Sequence, residues 1–168
     1  MSRRRVVVTG MGMLTPLGLD VESSWAGVLA GESGIAPIEH MNVEGFNTRF
    51  GGSVKGFDIE RYMPAKDARK FDLFIQYALA ASYQAVEDSG LQVTDANRER
   101  IGVVIGSGIG GLTNIEETSA VLFEKGPKRI SPFFVPGSII HLASGTLSMR
   151  MGLQGPNFAV ATACTTGT

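Results

Sequence analysis

The sequence predicts a layered α/β fold with a mostly parallel sheet. Three observations carry this expectation. Short apolar, β-branched runs recur at VVV (6–8), VVI (103–105) and in NFAVATAC at the end, segments of helical period stand between them, and glycine or proline marks nearly every changeover. Strands that alternate with helices pair in parallel, because each crossover needs a helix-length connection. At 168 residues the chain has about the length of one ordinary domain, ~100 to 150 residues.

Each element follows from its own residues. RRVVVTGMGMLTPLG is a β-branched run ending in glycine, punctuated by Pro16 and Gly18, and is expected to form a buried strand and a turn. DVESSWAGVLAGESG reads as a short helix with Asp20 as N-cap, Trp25, Val28 and Leu29 along one face, and Gly31 or Gly34 at its end. Residues 35–57 show no sustained period and are expected to be loop-rich. KFDLFIQYALAASYQAVEDSG has the clearest helical period, with Leu73, Tyr77, Ala80, Ala81, Gln84 and Ala85 at three- and four-residue steps and Gly90 in the C′ position. RIGVVIGSGIGG is a strand running into glycines, and GLTNIEETSAVLFEKG a helix with acidic residues early and Lys125 late, as the helix dipole favours. ISPFFVPGSII is bracketed by prolines, SIIHLASGTLSMRMG reads as a buried helix of small residues, and NFAVATAC is the last strand. No internal repeat or low-complexity tract is present.

Composition excludes several functions. The formal net charge is −1 and no basic tract exceeds the run Arg3 to Arg5, so nucleic acid is not an expected partner. Every apolar stretch is broken short of the ~18 residues a membrane span needs, and no apolar core with a cleavage site opens the chain. A cytoplasmic protein is expected. One cysteine, Cys164, cannot form an internal disulfide, in keeping with a reducing compartment. No metal site is expected, since His40 and His141 stand apart without ligand spacing and read as surface or core histidines.

Two stretches carry chemistry. Gly106, Gly108 and Gly111 match G-x-G-x-x-G after a strand and before a helix. A dinucleotide site would also need a second strand ending in an acidic residue about twenty residues on. Here Glu124 falls at a helix end, so the glycines are read either as close backbone approaches or as the lining of a cavity. In the other stretch, an apolar strand feeds ACTTG, the form of a strand-to-helix elbow that presents a nucleophile. A helix N-terminus behind such an elbow favours the thiolate over the thiol. Small neighbours, Ala163, Thr165, Thr166 and Gly167, leave room for a substrate carbonyl, and backbone N–H groups at the turn can form an oxyanion hole. A buried cysteine acting as a small hydrophobe is the other reading.

VVVTGMGMLTPLG, GSGIGG, ISPFFVP and GLQGPNFAVATACTTG, in this order and spacing, resemble the β-ketoacyl-[acyl carrier protein] synthases, and within them the type II branch of bacterial fatty-acid elongation. The resemblance runs through residues 1–168 and implies the N-terminal half of a thiolase-like fold, reaching the nucleophile elbow but not two histidines and a lysine of the family. It implies that Cys164 accepts the acyl group, with its own N–H as one oxyanion donor. Ile109 would stand at the bottom of the acyl pocket, Phe134 would reach across a homodimer interface to close the neighbour's pocket, and Ile139, Gly108 and Ala163 would join the wall. His141 is read as a packing or interface residue. Lys66, Arg69 and Lys70, spaced for one helical face, with Lys128 and Arg129, would dock an acidic acyl carrier protein. The resemblance implies no cofactor beyond the carrier's phosphopantetheine, and the 168 residues alone are expected to be inactive. The weighed alternative is a polyketide ketosynthase domain, or a chain-length-factor-like subunit lacking the nucleophile. The polyketide domain is disfavoured by a chain that starts at the fold's first strand, the chain-length-factor subunit by the intact TACTTG.

Overall fold

The computed structural model describes residues 4–167. Arg3, the first of the arginine run, and Thr168 lie outside the described residues. Backbone contacts divide the chain into two units, Met1–Asp58 with Ala81–Gly90, and Ile59–Ala80 with Leu91–Thr168.

In the first unit, α1 (Val21–Leu29) starts where the sequence places it: the Asp20 carboxylate accepts the Ser23 N–H at 2.7 Å. The C-cap is Ala30, and Gly31 follows with φ 69°. The apolar face of this helix looks outward, with Trp25 59% and Leu29 71% exposed. Ser24 and Gly27 are buried instead, because α1 turns its small side toward the preceding loop: Ser24 Oγ lies 2.8 Å from Thr15 Oγ1, and Gly27 leaves room for Leu17. Within the expected loop, β1 (Ala36–Pro37) pairs antiparallel with β2 (Phe50–Gly51). Two-residue strands are too short to leave a period in the sequence.

The expected opening strand is a correction. Residues 4–10 form no strand, and Val6 and Val8 are 89% and 81% exposed. β-branched residues favour a pleated, half-buried surface, but a strand also needs a partner for its backbone groups, and no described strand pairs with this run. The GMGM stretch after it lies along helical residues 81–89: Met11 N–H donates to Asp88 Oδ2 at 2.8 Å and Met13 N–H to Gln84 Oε1 at 3.0 Å. Gly10 and Gly12 permit this approach, since a methyl at Gly12 would collide with the Ala81 carbonyl and one at Gly10 with Ala85 and Ser89.

In the second unit, α2 (Ala65–Ala68) is one turn long. Gln76, on α3 (Leu73–Ser89), donates its Nε2 to Ala68 O at 3.2 Å and Phe71 O at 2.9 Å, fastening the two. Gly90, with φ 65°, ends α3 as expected. The fully buried positions Ile75, Leu79 and Ala80 only partly follow the predicted face, on which Leu73 is exposed. The central ladder is parallel, β3 (Val103–Gly106) on β4 (Asn157–Val160), in the register Val103↔Asn157 to Gly106↔Val160. Between these strands run α4 (Leu112–Lys125), the short α5 (Phe134–Ser138) and α6 (Leu142–Met151).

Helix α6 packs on both strands, burying Ala143, Ser144, Thr146 and Leu147. It starts at Leu142 rather than at Ser138, because the proline-bracketed segment makes its own turn, α5. Asn157 pins the start of β4 to α6, accepting from Ser144 Oγ at 2.8 Å and donating to Ser148 Oγ at 2.7 Å. The last strand stands where the sequence places it, but β4 ends at Val160 and is exposed along its length. No described helix is long and apolar enough to cross a membrane.

Gly12→Ala is expected to destabilise the full-length protein by about 1–3 kcal/mol, the usual cost of overpacking, seen as a lowered thermal unfolding midpoint.

Candidate active site at the ends of the parallel strands

Because β3 and β4 are parallel neighbours, their C-terminal ends open on the same edge. That edge is where open α/β sheets bind ligands. From β3 emerges the loop 107–111 and from β4 the segment carrying Cys164.

Cys164 is exposed and lies in a single 3-10 turn, Ala163–Thr165. Among the described residues the elbow is this one turn, fastened with hydroxyls. Thr166 Oγ1 donates to Ala163 O at 2.7 Å and accepts the Thr162 N–H at 2.9 Å, while Thr165 Oγ1 donates to Thr162 O at 2.8 Å. Ala163 has φ 51°, the only positive value at a non-glycine among the described residues. An L-residue held in this region is strained, and such strain gathers at functional turns. The Cys164 N–H has no hydrogen-bond partner among the described residues.

The glycine loop serves two neighbours. Gly106 leaves space for the Thr166 methyl, and Gly108 faces Ala163 O, 3.6 Å from where a Cβ would stand. Gly110, with φ 89°, and Gly111 press against Ser138. The amides that a phosphate would need are already engaged: Gly110 N–H donates to Ser107 Oγ at 3.1 Å, Gly111 N–H to Ser138 O at 2.8 Å, and Asn114 N–H to Asp72 Oδ2 at 2.7 Å. A carboxylate of the protein itself therefore occupies the anion position at the start of α4. The early acidic residues of α4, Glu116 and Glu117, miss its first turn.

Ile109, Phe134 and Ile139 come together on one apolar pocket of about 500 Å³, with Ile115, Ser138, Ile140, His141, Ala159 and Ala161. Gly108, Ala163 and Cys164 stand at the strand ends and do not line it. Sequence reasoning missed Ala159 and Ala161, although their two-residue spacing puts both on one face of an extended chain. His141, read from the sequence as a packing or interface residue, is exposed at the pocket. A larger apolar hollow of about 750 Å³, between Met11, Leu17, Trp25 and Ile35, belongs to the first unit and holds none of the predicted site residues.

Of the basic residues, Lys66 and Arg69 are exposed with no ion-pair partner among the described residues. Lys70 is half-buried: its ammonium bonds Asp67 Oδ1 at 2.7 Å and sits 5.5 Å from the Phe133 ring centre. That ammonium, by hydrogen bond and by charge, holds the Asp67 carboxyl below its ordinary value. The one-turn α2 thus gives no common face to all three cations. Lys128 and Arg129 are exposed on a 3-10 turn, Pro127–Arg129, packed against α4.

A parallel α/β ladder with a cysteine elbow and an apolar pocket at one edge is the arrangement of the thiolase-like condensing class, of which this chain represents the N-terminal portion. Residues 3–168 match the family model of the beta-ketoacyl synthase N-terminal domain, and the chain belongs to that family. It is 63% identical over 167 residues to a 3-oxoacyl-[acyl-carrier-protein] synthase 2 of Vibrio cholerae and 46% identical over 165 residues to one of Staphylococcus aureus. These alignments cover 99% and 98% of the chain but 40% of each relative, so the chain spans about two fifths of their length. Among solved structures it superposes on the ishigamide ketosynthase/chain length factor with TM-score 0.83 and 29% identity, covering 96% of this chain and 40% of that one. A type II polyketide ketosynthase, solved with its acyl-carrier protein and bound to the hexaketide, gives TM-score 0.74 and 27% identity, covering 90% of this chain and 40% of the other.

Thr166→Val is expected to cut the hydrogen-exchange protection of the Thr162 amide about tenfold, the equivalent of one hydrogen bond, whereas Thr166→Ser keeps it.

Proposed function

We propose that the chain is the acyl-accepting part of a β-ketoacyl-[acyl carrier protein] synthase of fatty-acid biosynthesis. The carrying observation is the strained, exposed Cys164 elbow at the same sheet edge as the Ile109 loop, whose neighbours form an apolar pocket. The Cys164 thiolate attacks the thioester carbonyl of an acyl carrier protein, the carbon–sulfur bond to phosphopantetheine breaks, and the carrier thiol leaves with a proton. The Cys164 N–H has no partner among the described residues, which suits it to stabilise the oxyanion of that step. Malonyl carrier protein then loses carbon dioxide, and the electron pair of the broken bond forms the new carbon–carbon bond at the acyl carbonyl. The Cys164 thiolate is expelled and β-ketoacyl carrier protein is the product. The two histidines that polarise the malonyl thioester carbonyl, and the lysine that supports them, belong, by resemblance, to the part of the family fold that this chain does not contain.

The working enzyme is a cytoplasmic homodimer in which Phe134 meets the neighbouring subunit, and it needs no metal or nucleotide cofactor. Gly108 and Ala163 shape the approach to the sulfur and Ile139 the pocket wall, with Ile109 as the element that limits depth. The acidic carrier docks on Lys66 and Arg69, with Lys128 and Arg129 as a second cluster. Lys70, already paired with Asp67, contributes less.

Incubation of the full-length protein with acyl carrier protein substrate is expected to place the acyl group on Cys164, mapped by peptide mass, and Cys164→Ala to abolish the adduct. Label at any other residue overturns the mechanism. For docking, Lys66→Ala with Arg69→Ala is expected to raise the KM for carrier protein about tenfold at low salt, fading as salt screens the patch. Lys70→Ala is expected to change it less.

A further inference from the structure

Behind the pocket wall lies a polar cluster to which the chemistry above gives no role. The first turn of α4 lacks a capping side chain of its own, because its N-cap is Gly111. Asp72 supplies the cap from elsewhere in the chain: its Oδ2 accepts the Asn114 N–H at 2.7 Å and its Oδ1 the Phe74 N–H at 3.4 Å. The Asp72 backbone N–H donates in turn to Gly137 O, within α5, at 3.1 Å. Asn114 Nδ2 reaches the same short helix, donating to Phe134 O at 3.2 Å and Ser138 Oγ at 2.8 Å, while Ser138 Oγ donates to Phe134 O at 2.7 Å. One carboxylate and one amide thus tie the glycine loop to the turn that carries Phe134.

We infer that Asp72 and Asn114 are positioning residues that hold the Ile109 loop and the Phe134 turn as one wall, and so set which acyl lengths the pocket takes. Ile109 is 67% exposed, so side-chain packing does not fix it and the backbone of its loop decides where it stands. That backbone is anchored two residues later, where Gly111 N–H meets Ser138 O at 2.8 Å and a Cβ at Gly111 would lie 3.1 Å from the Asp72 side chain. Depth in such a pocket discriminates substrates sharply, since one methylene is worth about 10- to 200-fold. Neither residue lines the pocket. Their influence on chain length passes through Ile109 and Phe134.

The inference rests on the acyl-enzyme reading above, and one experiment separates the two. In the full-length protein, Asn114→Leu and Asp72→Asn are compared with the unaltered protein for the rate of acyl loading onto Cys164, across saturated acyl carrier proteins from short to long chain. The expected result is a change of about tenfold in the ratio of long- to short-chain loading in both variants. A loss shared equally by all lengths, as a merely structural defect gives, or an unchanged ratio overturns the inference alone. Should Asn114→Leu fail to fold, Asp72→Asn decides by the same ratio, because it keeps the side-chain shape while withdrawing the charge from α4. No adduct on Cys164 in the unaltered protein overturns the proposed function and this inference with it.

Discussion

The last rung of the parallel ladder, Gly106 beside Val160, is the constraint on which the site depends. Parallel strands deliver their C-terminal ends to one edge, and here those ends lead within a few residues to the Ile109 loop and to Cys164. A side chain at Gly106 would strike the Thr166 methyl and crowd the Val160 carbonyl. Helix α6 holds both strands from below, and the Ser144–Asn157–Ser148 bonds fix the level at which β4 begins. Register at the far end of the ladder therefore becomes position at the sulfur.

The glycine loop shows how one spacing can belong to two chemistries. A nucleotide site needs free amides at a helix start, whereas a pocket wall needs close contacts and engaged amides. Gly111 and Asn114 give their N–H groups to Ser138 and Asp72, so the loop is built as a wall. The sequence argued against a nucleotide only through the misplaced Glu124, because the deciding partner, Asp72, is 42 residues from Asn114.

Local signals were the legible ones. Asp20 at the start of α1, Gly90 at the end of α3 and the β3 run were all readable, since caps and periods are properties of neighbouring residues. What escaped was set by distant partners. Val6–Val8 have strand composition but no described strand beside them, and α1 turns its small side inward because of Thr15 and Leu17. Cys164 and its elbow were legible through ACTTG, but the hydroxyl bonds that fasten the turn were not, because threonine at such spacing also suits a strand. Of the pocket, resemblance supplied Ile109, Phe134 and Ile139, while Ala159 and Ala161 needed the strand's face to be known.

The hydroxyl fastening of the elbow separates shape from reactivity. All three bonds run among Thr162, Ala163, Thr165 and Thr166, and none uses the sulfur. The sulfur thus carries none of this hydroxyl fastening. Exchanging sulfur for oxygen or hydrogen at position 164 removes none of these three bonds, so a loss of reaction after such an exchange points to the chemistry of the atom rather than to its mount.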